Sequence, residues 1–367
     1  MNKEKIFIIA GEDSGDLHGA KLMKEIKEVR PGTTFFGIGG NRMKSEGIQL
    51  TEHINQLNVI GFLEVLKNYK KIKKIFDKTL LDIKKLNPDK IILIDYPGFN
   101  LRLAKKLSKL NFHITYFILP QVWAWKESRL KTLKNNCDRL IGIIPFEKPW
   151  YKERDVKIHY AGHPLSELNK NYYEKNSFYK KHNIPKDNKL IALLPGSRKS
   201  EIQKHWPIFK KTIASLQAQN NRLTFLLIEG QNVEINCDKE IIKIKDNQYE
   251  AISCSDVAIV CSGTATLEVA MLKCPMLVCY KTSSITWLLV QLLSKVKYVS
   301  LVNLIAEEKI VDEFLQKNMN AKNLSSGVLS LLDPAVSKKM KEKYNMLINI
   351  LDNNKNVYKE AAKYIYA

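Results

Sequence analysis

Short apolar runs alternate with longer amphipathic stretches along the first half of the chain. The apolar runs predict buried β-strands, and the stretches at 101–110 and 128–135 have the spacing of amphipathic helices. The predicted strands are Ile6–Ala10, Thr34–Ile38, Lys90–Asp95, Ile114–Ile118 and Arg139–Ile144. Strands that alternate with helices in this way predict a parallel sheet covered by helices on both faces.

The alternation stops between Pro145 and Asn188 and then starts again. The predicted strands of the second half are Leu190–Leu194, Thr224–Ile228, Ile241–Ile244, Val257–Val260 and Pro275–Cys279, and the end of the chain carries only helical periodicity. We therefore expect an α/β protein of two Rossmann-like domains that face each other across a cleft. The expected domains are residues 1–165 and 166–345. A C-terminal helix, 346–367, is expected to pack back on the first domain or on a partner chain.

Composition and charge favour a soluble globular protein that binds anions. The 367 residues are 45% hydrophobic, and 59 Lys and Arg against 38 Asp and Glu give a net charge of +21. Such an excess favours nucleic acid, phosphorylated substrates or an acidic membrane surface. The first apolar run is too short for a signal peptide, and no apolar run reaches the roughly 20 residues of a membrane span.

The six cysteines indicate reduced, buried thiols in a cytosolic compartment. None belongs to a C-x-x-C pair, and most lie in apolar runs. No cluster of His and Cys has the spacing of a zinc site. We expect neither a metal site nor a cofactor.

The apolar run Leu190–Leu194 ends at a turn that suits a phosphate. Pro195-Gly196-Ser197-Arg198 follows, and an amphipathic segment begins near Lys199. A strand that leads through a glycine turn into a helix directs backbone N–H groups and the positive helix end to one place. Arg198 would add a permanent charge that binds two oxygens at once. The alternative is an ordinary strand–helix turn.

A second turn of this kind is Ser262-Gly263-Thr264-Ala265-Thr266-Leu267-Glu268, which follows a predicted strand. Small hydroxyl residues and glycine before a helix offer backbone donors to an anion. Glu268 lies four residues after Thr264, on the same helix face, where it could accept hydrogen bonds from two ribose hydroxyls. The alternative is a capping box, and the two roles are compatible.

Two loops of the first half also follow strands. Gly11–Gly19 carries three carboxylates, which would repel a pyrophosphate, so we expect it to bind a polyhydroxylated or cationic group. The alternative is that Asp13 and Ser14 cap a helix that begins near Leu17. Asp95 ends an apolar strand, where partial desolvation raises the pKa of a carboxyl towards the range of a general base. The alternative is that Asp95 caps the next helix or holds the turn.

Residues 59–76 have helical spacing and crowd lysines into their second half. A basic amphipathic helix with exposed Phe62 and Phe76 would suit a peripheral membrane contact, and a core helix with a solvated lysine face is the alternative. Trp123 and Trp125 could stack on a sugar, line an acyl groove or pack at the cleft. No Asp-x-Asp pair is present to hold a metal-bound diphosphate, so we expect Arg198 and helix ends to neutralise a leaving group instead.

Eight motifs occur in one order along most of the chain. They are Gly11-Glu12-x-Ser14-Gly15-Asp16-x-x-Gly19, Asp95-x-Pro97-x-Phe99-Asn100, Pro120-x-x-Trp123-Ala124-Trp125, Pro145-Phe146-Glu147, Gly162-His163-Pro164, Leu194–Arg198, Ser262–Glu268, and Tyr298–Leu301 with Asn303-Leu304. In this combination the chain resembles the lipid-A-disaccharide synthases of Gram-negative bacteria. Val302 and Glu307 depart from that pattern, which has Pro and Gly there. Gly98 stands where many relatives have an acidic residue.

The resemblance implies an inverting nucleotide-sugar glycosyltransferase of the two-domain GT-B type. The donor would be UDP-2,3-diacylglucosamine, and its sugar would pass to the 6-hydroxyl of 2,3-diacylglucosamine 1-phosphate with release of UDP. It implies Asp95 as general base and Arg198 at the diphosphate. The expected substrate and nucleotide contacts are Ser14, Asp16, Gly196, Ser197, Ser262, Gly263, Thr264, Thr266, Glu268 and Asn303. The expected acyl or membrane contacts are Ile60, Phe62, Leu63, Leu66, Trp123 and Trp125.

Acylated substrates would place the enzyme on the cytosolic face of the inner membrane, without spanning it. The expected partners are the two substrates and the anionic membrane surface, not nucleic acid, and a homodimer could form through the C-terminal helices. A second hypothesis is a UDP-N-acetylglucosamine 2-epimerase or another transferase of the same fold, which would act on water-soluble UDP-sugars. A third is a non-catalytic basic protein that binds RNA or membrane, in which Asp95 would be dispensable.

Overall fold

The computed structural model describes residues 4–57, 69–168, 173–230, 234–284, 287, 296–352 and 355–367. The chain forms two compact units, one of Met1–Pro164 with Asn353–Ala367 and one of Leu165–Asp352. Each unit contains one parallel β-sheet with helices packed against it, and the chain ends in helices. The predicted fold class, two parallel α/β domains with a helical C-terminal end, is confirmed.

The first unit has a seven-stranded sheet in the order β3-β2-β1-β4-β5-β6-β7. Its strands are β1 Lys5–Ala10, β2 Thr34–Gly39, β3 Gln49–His53, β4 Lys90–Ile94, β5 Ile114–Phe117, β6 Arg139–Gly142 and β7 His159–Tyr160. The helices between them are α1 Asp13–Val29, α2 Asn41–Ser45, α3 Tyr69–Leu86, α4 Pro97–Leu107, α5 Leu130–Asn136 and α6 Glu147–Lys152. Strand order reverses between β1 and β4, so the loops after these two strands flank the point where α/β sheets bind ligands.

Both faces of this sheet are buried. Along β1, Phe7 and Ile9 belong to one apolar cluster, whereas Ile6 and Ile8 belong to a second cluster on the opposite face. Alternate residues thus enter two different cores. This explains why the strands are apolar without interruption rather than at every second position.

The second unit has a six-stranded sheet in the order β10-β9-β8-β11-β12-β13. Its strands are β8 Lys189–Leu194, β9 Leu223–Ile228, β10 Ile242–Ile244, β11 Val257–Cys261, β12 Met276–Tyr280 and β13 Asp312–Leu315. Its helices are α7 Lys175–Lys181, α8 Lys199–Gln219, α9 Gln248–Cys254, α10 Ala265–Met271, α11 Leu301–Ala306, α12 Ala321–Leu331 and α13 Pro334–Leu351. Strand order reverses between β8 and β11, which repeats the arrangement of the first sheet.

The last helix, α14 (Val357–Tyr366), is part of the first unit. A helical stripe of its residues, Val357, Tyr358, Ala361, Ala362 and Ile365, completes the apolar cluster on one face of the first sheet. The return to the first unit occurs at Asn353 and not at residue 346, because α13 is one continuous helix of the second unit.

Asp16 does not face a ligand site. Its buried carboxylate accepts hydrogen bonds from the backbone N–H groups of Gly40, Arg42 and Met43 at 2.6, 3.0 and 3.0 Å. These groups lie at the start of α2. The N-cap residue of α2 is Gly40, which provides no side-chain cap. Asp16 therefore caps a neighbouring helix, and the expectation that it contacts substrate is corrected.

The capping alternative for Asp13 and Ser14 is also wrong. Helix α1 begins at Asp13, and Glu12 is its N-cap residue, so Asp13 and Ser14 lie in the first helical turn. Ser14 is exposed there. The segment that the sequence presents as a loop of nine residues is therefore mostly helix.

No helix within the described ranges is long and apolar enough to cross a membrane.

All six cysteines are free, and four of them are buried.

Replacing Asp16 with Ala is expected to destabilise the protein by about 1 to 3 kcal/mol, because buried backbone donors lose their acceptor. Thermal or urea unfolding of the purified protein measures this change. Glu28→Ala, which removes an exposed carboxylate from the same helix, is the matched control. Equal unfolding curves for Asp16→Ala and Glu28→Ala would contradict the capping role.

Candidate active site

A pocket of about 350 Å³ lies at the strand ends of the second unit, where the order of its sheet reverses. Seven of the predicted site residues line it: Gly196, Ser197, Arg198, Ser262, Gly263, Thr264 and Glu268. The loops after β8 and β11 supply them, because adjacent parallel strands end at the same edge of a sheet. The structure thus brings together two turns that are more than 60 residues apart in the sequence.

The turn after β8 depends on glycine and on a buried histidine. Gly196 has a φ of +118°, and a Cβ atom there would lie 2.7 Å from Oε2 of Glu201. His205 is fully buried, and its Nδ1 lies 2.8 Å from the carbonyl oxygen of Pro195. Its Nε2 accepts the backbone N–H of Lys281 at 3.0 Å, which assigns the proton to Nδ1. His205 therefore fixes the backbone that enters the pocket.

Arg198 is the N-cap residue of α8, a helix of 21 residues. Its guanidinium is half exposed and forms an ion pair with Glu201 at 3.2 Å. One carboxylate holds one edge of the guanidinium, so its remaining donors can turn to a ligand. The positive end of α8 and the charge of Arg198 thus act on the same pocket.

Some residues of the turn after β11 line the pocket, and others form hydrogen bonds that hold the turn. Glu268 accepts a hydrogen bond from the hydroxyl of Tyr249 at 3.2 Å, and burial raises the pKa of its carboxyl. Ser262 donates to the carbonyl of Val299 at 3.1 Å while lining the pocket. Thr266 is fully buried and donates to the carbonyl of Gly263 at 2.8 Å. The expected nucleotide contact of Thr266 is therefore corrected to a cap of this turn.

Asn303 is fully buried and has no free hydrogen-bonding group to offer a nucleotide. Its Nδ2 donates to the carbonyl of Val311 and to Glu313, both at 2.9 Å, and its Oδ1 accepts from the backbone of Ile310 and Val311. The expectation that Asn303 faces the nucleotide is corrected to a structural role. The helix that carries it ends at Glu307 in a left-handed conformation, φ +56°, which the glycine of the family pattern adopts more easily.

Asp95 lies at the reversal point of the first sheet, directly after β4. Asp95 and Tyr96 both have left-handed φ values, +44° and +47°, in one sharp turn before α4. The turn is held through the carbonyl of Asp95, which accepts from Tyr116 Oη at 2.6 Å and Asn100 Nδ2 at 2.8 Å. Two such residues cost on the order of 1 to 3 kcal/mol each, and left-handed non-glycine residues are concentrated at functional sites.

The electrostatics of Asp95 suit a general base near neutral pH. Burial raises the pKa of its carboxyl to about 7, and the negative charge of Glu12 adds to the rise. Glu12 follows β1, the strand adjacent to β4, with Ala10 paired to Ile94. The charges of two carboxylates thus act on each other at the strand ends, and Ser14, exposed in the first turn of α1, stays a predicted substrate contact.

The two tryptophans have different environments. Trp123 is buried, donates to Glu147 at 3.3 Å and packs edge-on against Phe146. Its expected acyl contact is therefore corrected to a core role. Trp125 is 43% exposed and remains available to a ligand. Ile60, Phe62, Leu63 and Leu66 lie outside the described residues.

The first unit has a second pocket, of about 700 Å³, between α3 and α4. Its apolar wall is formed by Tyr69, Ile72, Phe76, Tyr96 and Phe99, and its rim carries Lys73, Arg102, Lys105, Lys106 and Lys109. Asp77 is the one acid among the described residues that line it. Phe76 is half-buried against Phe99, with ring centroids 5.3 Å apart, so its predicted exposure is wrong. The pocket suits an amphiphile with an anionic head.

Sequence reasoning missed several residues of these sites. Glu12 acts on the charge of Asp95, His205 contacts Pro195 and Lys281, and Tyr249 binds Glu268. Gln248 and Glu229 line the pocket of the second unit. Only Glu12 had a sequence signal, as part of the Gly11–Gly19 motif. Within the described ranges, no group of three His, Cys, Asp or Glu side chains is placed to hold a metal ion.

A family model described as lipid-A-disaccharide synthetase matches residues 6–366. The chain belongs to this family. The resemblance drawn from the eight motifs is confirmed, and it extends beyond them to nearly the whole length.

Curated members of the lipid-A-disaccharide synthase family are similar over most of the chain. The lipid-A-disaccharide synthase 1 of Legionella pneumophila (strain Paris) is 39% identical over 337 residues, 88% of this chain and 87% of that protein. The enzyme of Syntrophus aciditrophicus (strain SB) is 35% identical over 341 residues, covering 90% and 89%. That of Coxiella burnetii (strain Dugway 5J108-111) is 31% identical, covering 91% and 90%.

Solved structures share the fold at low sequence identity. The glycotransferase of kitacinnamycin has a TM-score of 0.67 at 13% identity and covers 100% of this chain and 99% of its own. The UDP-GlcNAc 2-epimerase from Neisseria meningitidis, bound to UDP-GlcNAc, has a TM-score of 0.60 at 11% identity, covering 99% and 98%. These likenesses show the GT-B fold, which transferases and epimerases share, so the fold does not decide between them and the synthase family match does.

Replacing Asp95 with Asn is expected to stabilise the folded protein at pH 8. The folded pKa of about 7 exceeds the ordinary 3.8, so wild-type protein loses stability as the pH rises between these values. Asparagine keeps the shape without the charge. The thermal midpoints of the wild type and of Asp95→Asn, measured from pH 4 to pH 8, should therefore diverge as the pH rises. Glu28→Gln, which changes an exposed residue, is the control. A lower midpoint for Asp95→Asn at pH 8 would show that the carboxylate is not destabilised.

Proposed function

We propose that this chain synthesises the lipid A disaccharide. It transfers 2,3-diacylglucosamine from UDP-2,3-diacylglucosamine to the 6-hydroxyl of 2,3-diacylglucosamine 1-phosphate, with inversion and release of UDP. Family membership supports the reaction. The single structural observation that carries the residue roles is the desolvated carboxylate of Asp95 beside Glu12, at the reversal point of the first sheet.

The second unit is proposed to bind the UDP of the donor. Its pocket combines the start of a long helix, the Arg198 guanidinium and the buried carboxylate of Glu268. We assign the diphosphate to Arg198 and the turn of Gly196 and Ser197, and the ribose hydroxyls to Glu268. Negative charge develops on the diphosphate as the glycosidic bond breaks, and fixed positive groups stabilise it without reorganisation. In this proposal no metal ion takes part.

The first unit is proposed to bind the acceptor and activate it. Asp95 accepts the proton of the acceptor 6-hydroxyl as the oxygen attacks the donor's anomeric carbon, which is a single displacement and therefore inverts the configuration. A carboxylate with a pKa near 7 is a stronger base than an ordinary one and is still ionised in useful amounts at neutral pH. Each unit thus serves one substrate.

We further propose that the protein works on the cytosolic face of the inner membrane. The net charge of +21 and the lysine-rimmed apolar pocket support attraction to an anionic surface, to which each Lys or Arg contributes about 1 kcal/mol. A homodimer through the C-terminal helices would have to form although the apolar stripe of α14 packs on its own chain, and sedimentation of the purified protein would check it.

Asp95→Asn is expected to lower kcat by about 100- to 10,000-fold, the usual contribution of a general base. Arg198→Ala is expected to lower it by about 100- to 1,000-fold, because the leaving group loses a fixed charge. Release of UDP from the diacyl donor, with and without the phosphorylated acceptor, measures both. Lys24→Ala, which removes an exposed cation from the first unit, is the control.

Near-normal rates for both variants would overturn the site assignment. Turnover of UDP-N-acetylglucosamine by the wild type, with none on the diacyl donor, would favour the epimerase hypothesis. The same assay with EDTA tests metal independence, since a loss of rate would show that a metal ion takes part.

The rate of the wild type is expected to rise with pH through an ionisation near 7, because only deprotonated Asp95 can act as base. Glu12→Gln removes the charge that adds to this pKa, so the acidic limb of kcat/KM should move to lower pH. Profiles of UDP release from pH 5 to 9 measure the shift. Glu28→Gln serves as the control variant. An unmoved limb in Glu12→Gln would contradict the influence of Glu12 on the titrating group.

A further inference from the structure

Three cations lie on neighbouring segments that follow β4 and β5. Arg102 is on α4, α4 packs against α5, and Lys126 and Arg129 directly precede α5. After burial, the causes that lower the pKa of Lys126 are the charges of Arg129 and Arg102, and Arg102 also lowers that of Arg129. The hydroxyl of Tyr116, which donates to the carbonyl of Asp95, is another group that acts on Arg129. The chain has therefore concentrated positive charge next to its proposed base.

No described carboxylate neutralises this cluster. Glu127, which lies between Lys126 and Arg129 in sequence, is instead paired with Arg154 at 2.7 Å. Among the described residues, Arg102, Lys126 and Arg129 form no ion pair at all. Like charges held together without a counterion raise the free energy of the unliganded protein, and an anion that binds there removes this cost.

An exposed aromatic ring holds two of the cations in place. The Nζ of Lys126 lies 4.6 Å from the centroid of the Trp125 ring, and the guanidinium carbon of Arg129 lies 5.2 Å from it. A cation–π contact positions a cation without cancelling its charge. This gives Trp125 a role that neither sugar stacking nor core packing supplies.

The third cation belongs to two sites at once. Arg102 also lines the apolar pocket, next to Phe99 and near Ile72 and Phe76. The cation cluster and the apolar pocket are thus continuous through Arg102. A molecule that occupies both must carry an anion close to a hydrocarbon chain.

We infer that Arg102, Lys126 and Arg129 form the subsite for the phosphate monoester of the acylated acceptor, and that the pocket between α3 and α4 receives one of its acyl chains. The inference rests on the proposed function. In that acceptor the phosphate and the nearest acyl group are on adjacent ring carbons, which matches the shared position of Arg102. A phosphate monoester carries about two negative charges at pH 7, and a guanidinium binds two of its oxygens at once.

The test compares 2,3-diacylglucosamine 1-phosphate with the same sugar without phosphate, in neutral detergent micelles. For Arg102→Ala and Arg129→Ala we expect KM for the phosphorylated acceptor to rise about tenfold, with KM for the other acceptor and kcat little changed. Arg129→Lys should show a smaller rise in KM than Arg129→Ala, and Lys24→Ala should leave KM unchanged. An equal rise for both acceptors, or no rise, overturns the subsite.

Two further measurements, vesicle binding and acceptor binding, distinguish the proposed subsite from other causes of a change in KM. Binding to phosphatidylglycerol vesicles tests the membrane: variants that lose vesicle binding but keep a normal KM in micelles would show that the cluster binds lipid headgroups, which overturns the inference. If the wild type turns over neither acceptor, the proposed function fails. The subsite is then judged by acceptor binding, read from tryptophan fluorescence. Tighter binding of the phosphorylated acceptor that Arg102→Ala abolishes supports the subsite, and equal binding of both acceptors overturns it.

Discussion

A parallel sheet with both faces buried leaves only the ends of its strands for polar chemistry. This constraint determines where the proposed base and the pocket of the second unit lie. In both sheets the strand order reverses once, between β1 and β4 and between β8 and β11, and the loops there cannot be covered by a crossover helix. Asp95 and Glu12 occupy the first of these positions, and Arg198 and Glu268 the second. The two units therefore place their candidate residues at the same position of the sheet, but the residues differ in charge and chemistry.

The sequence predicted the central strands and the turns that follow them, because uninterrupted apolar runs that end at glycine or acid have few other meanings. It missed β3, β7 and β13, which are short or largely polar and lie at or beside sheet edges, where one-sided burial removes the apolar signal. The site was predicted as a set of loops. It could not be divided into ligand contacts and structural residues, because the partners of Asp16 and Asn303 come from other elements. Trp123 and Trp125 make the same point: two residues apart, one is core and the other surface.

The same arrangement that suits Asp95 to its proposed role as general base also makes the folded state less stable. Its carboxyl lies in a desolvated position near another acid, on a backbone held in the left-handed region by Tyr116 and Asn100. Desolvation, the neighbouring acid and the left-handed backbone each oppose folding of this turn. The apolar clusters on both faces of the sheet supply the free energy that maintains it, and Tyr116, which holds the carbonyl of Asp95, belongs to one of these clusters.

The position of α14 also affects how the protein is made. The first unit needs Val357, Ala361 and Ile365 to complete one of its apolar clusters, yet the whole second unit, Leu165–Asp352, is synthesised before them. Roughly 190 residues separate them from the rest of that unit, a delay of about 10 to 40 seconds at bacterial rates of synthesis. During this time the apolar face that α14 covers lacks that cover and is open to any chaperone that binds such surfaces. The whole second unit is therefore synthesised before the apolar core of the first unit can be completed.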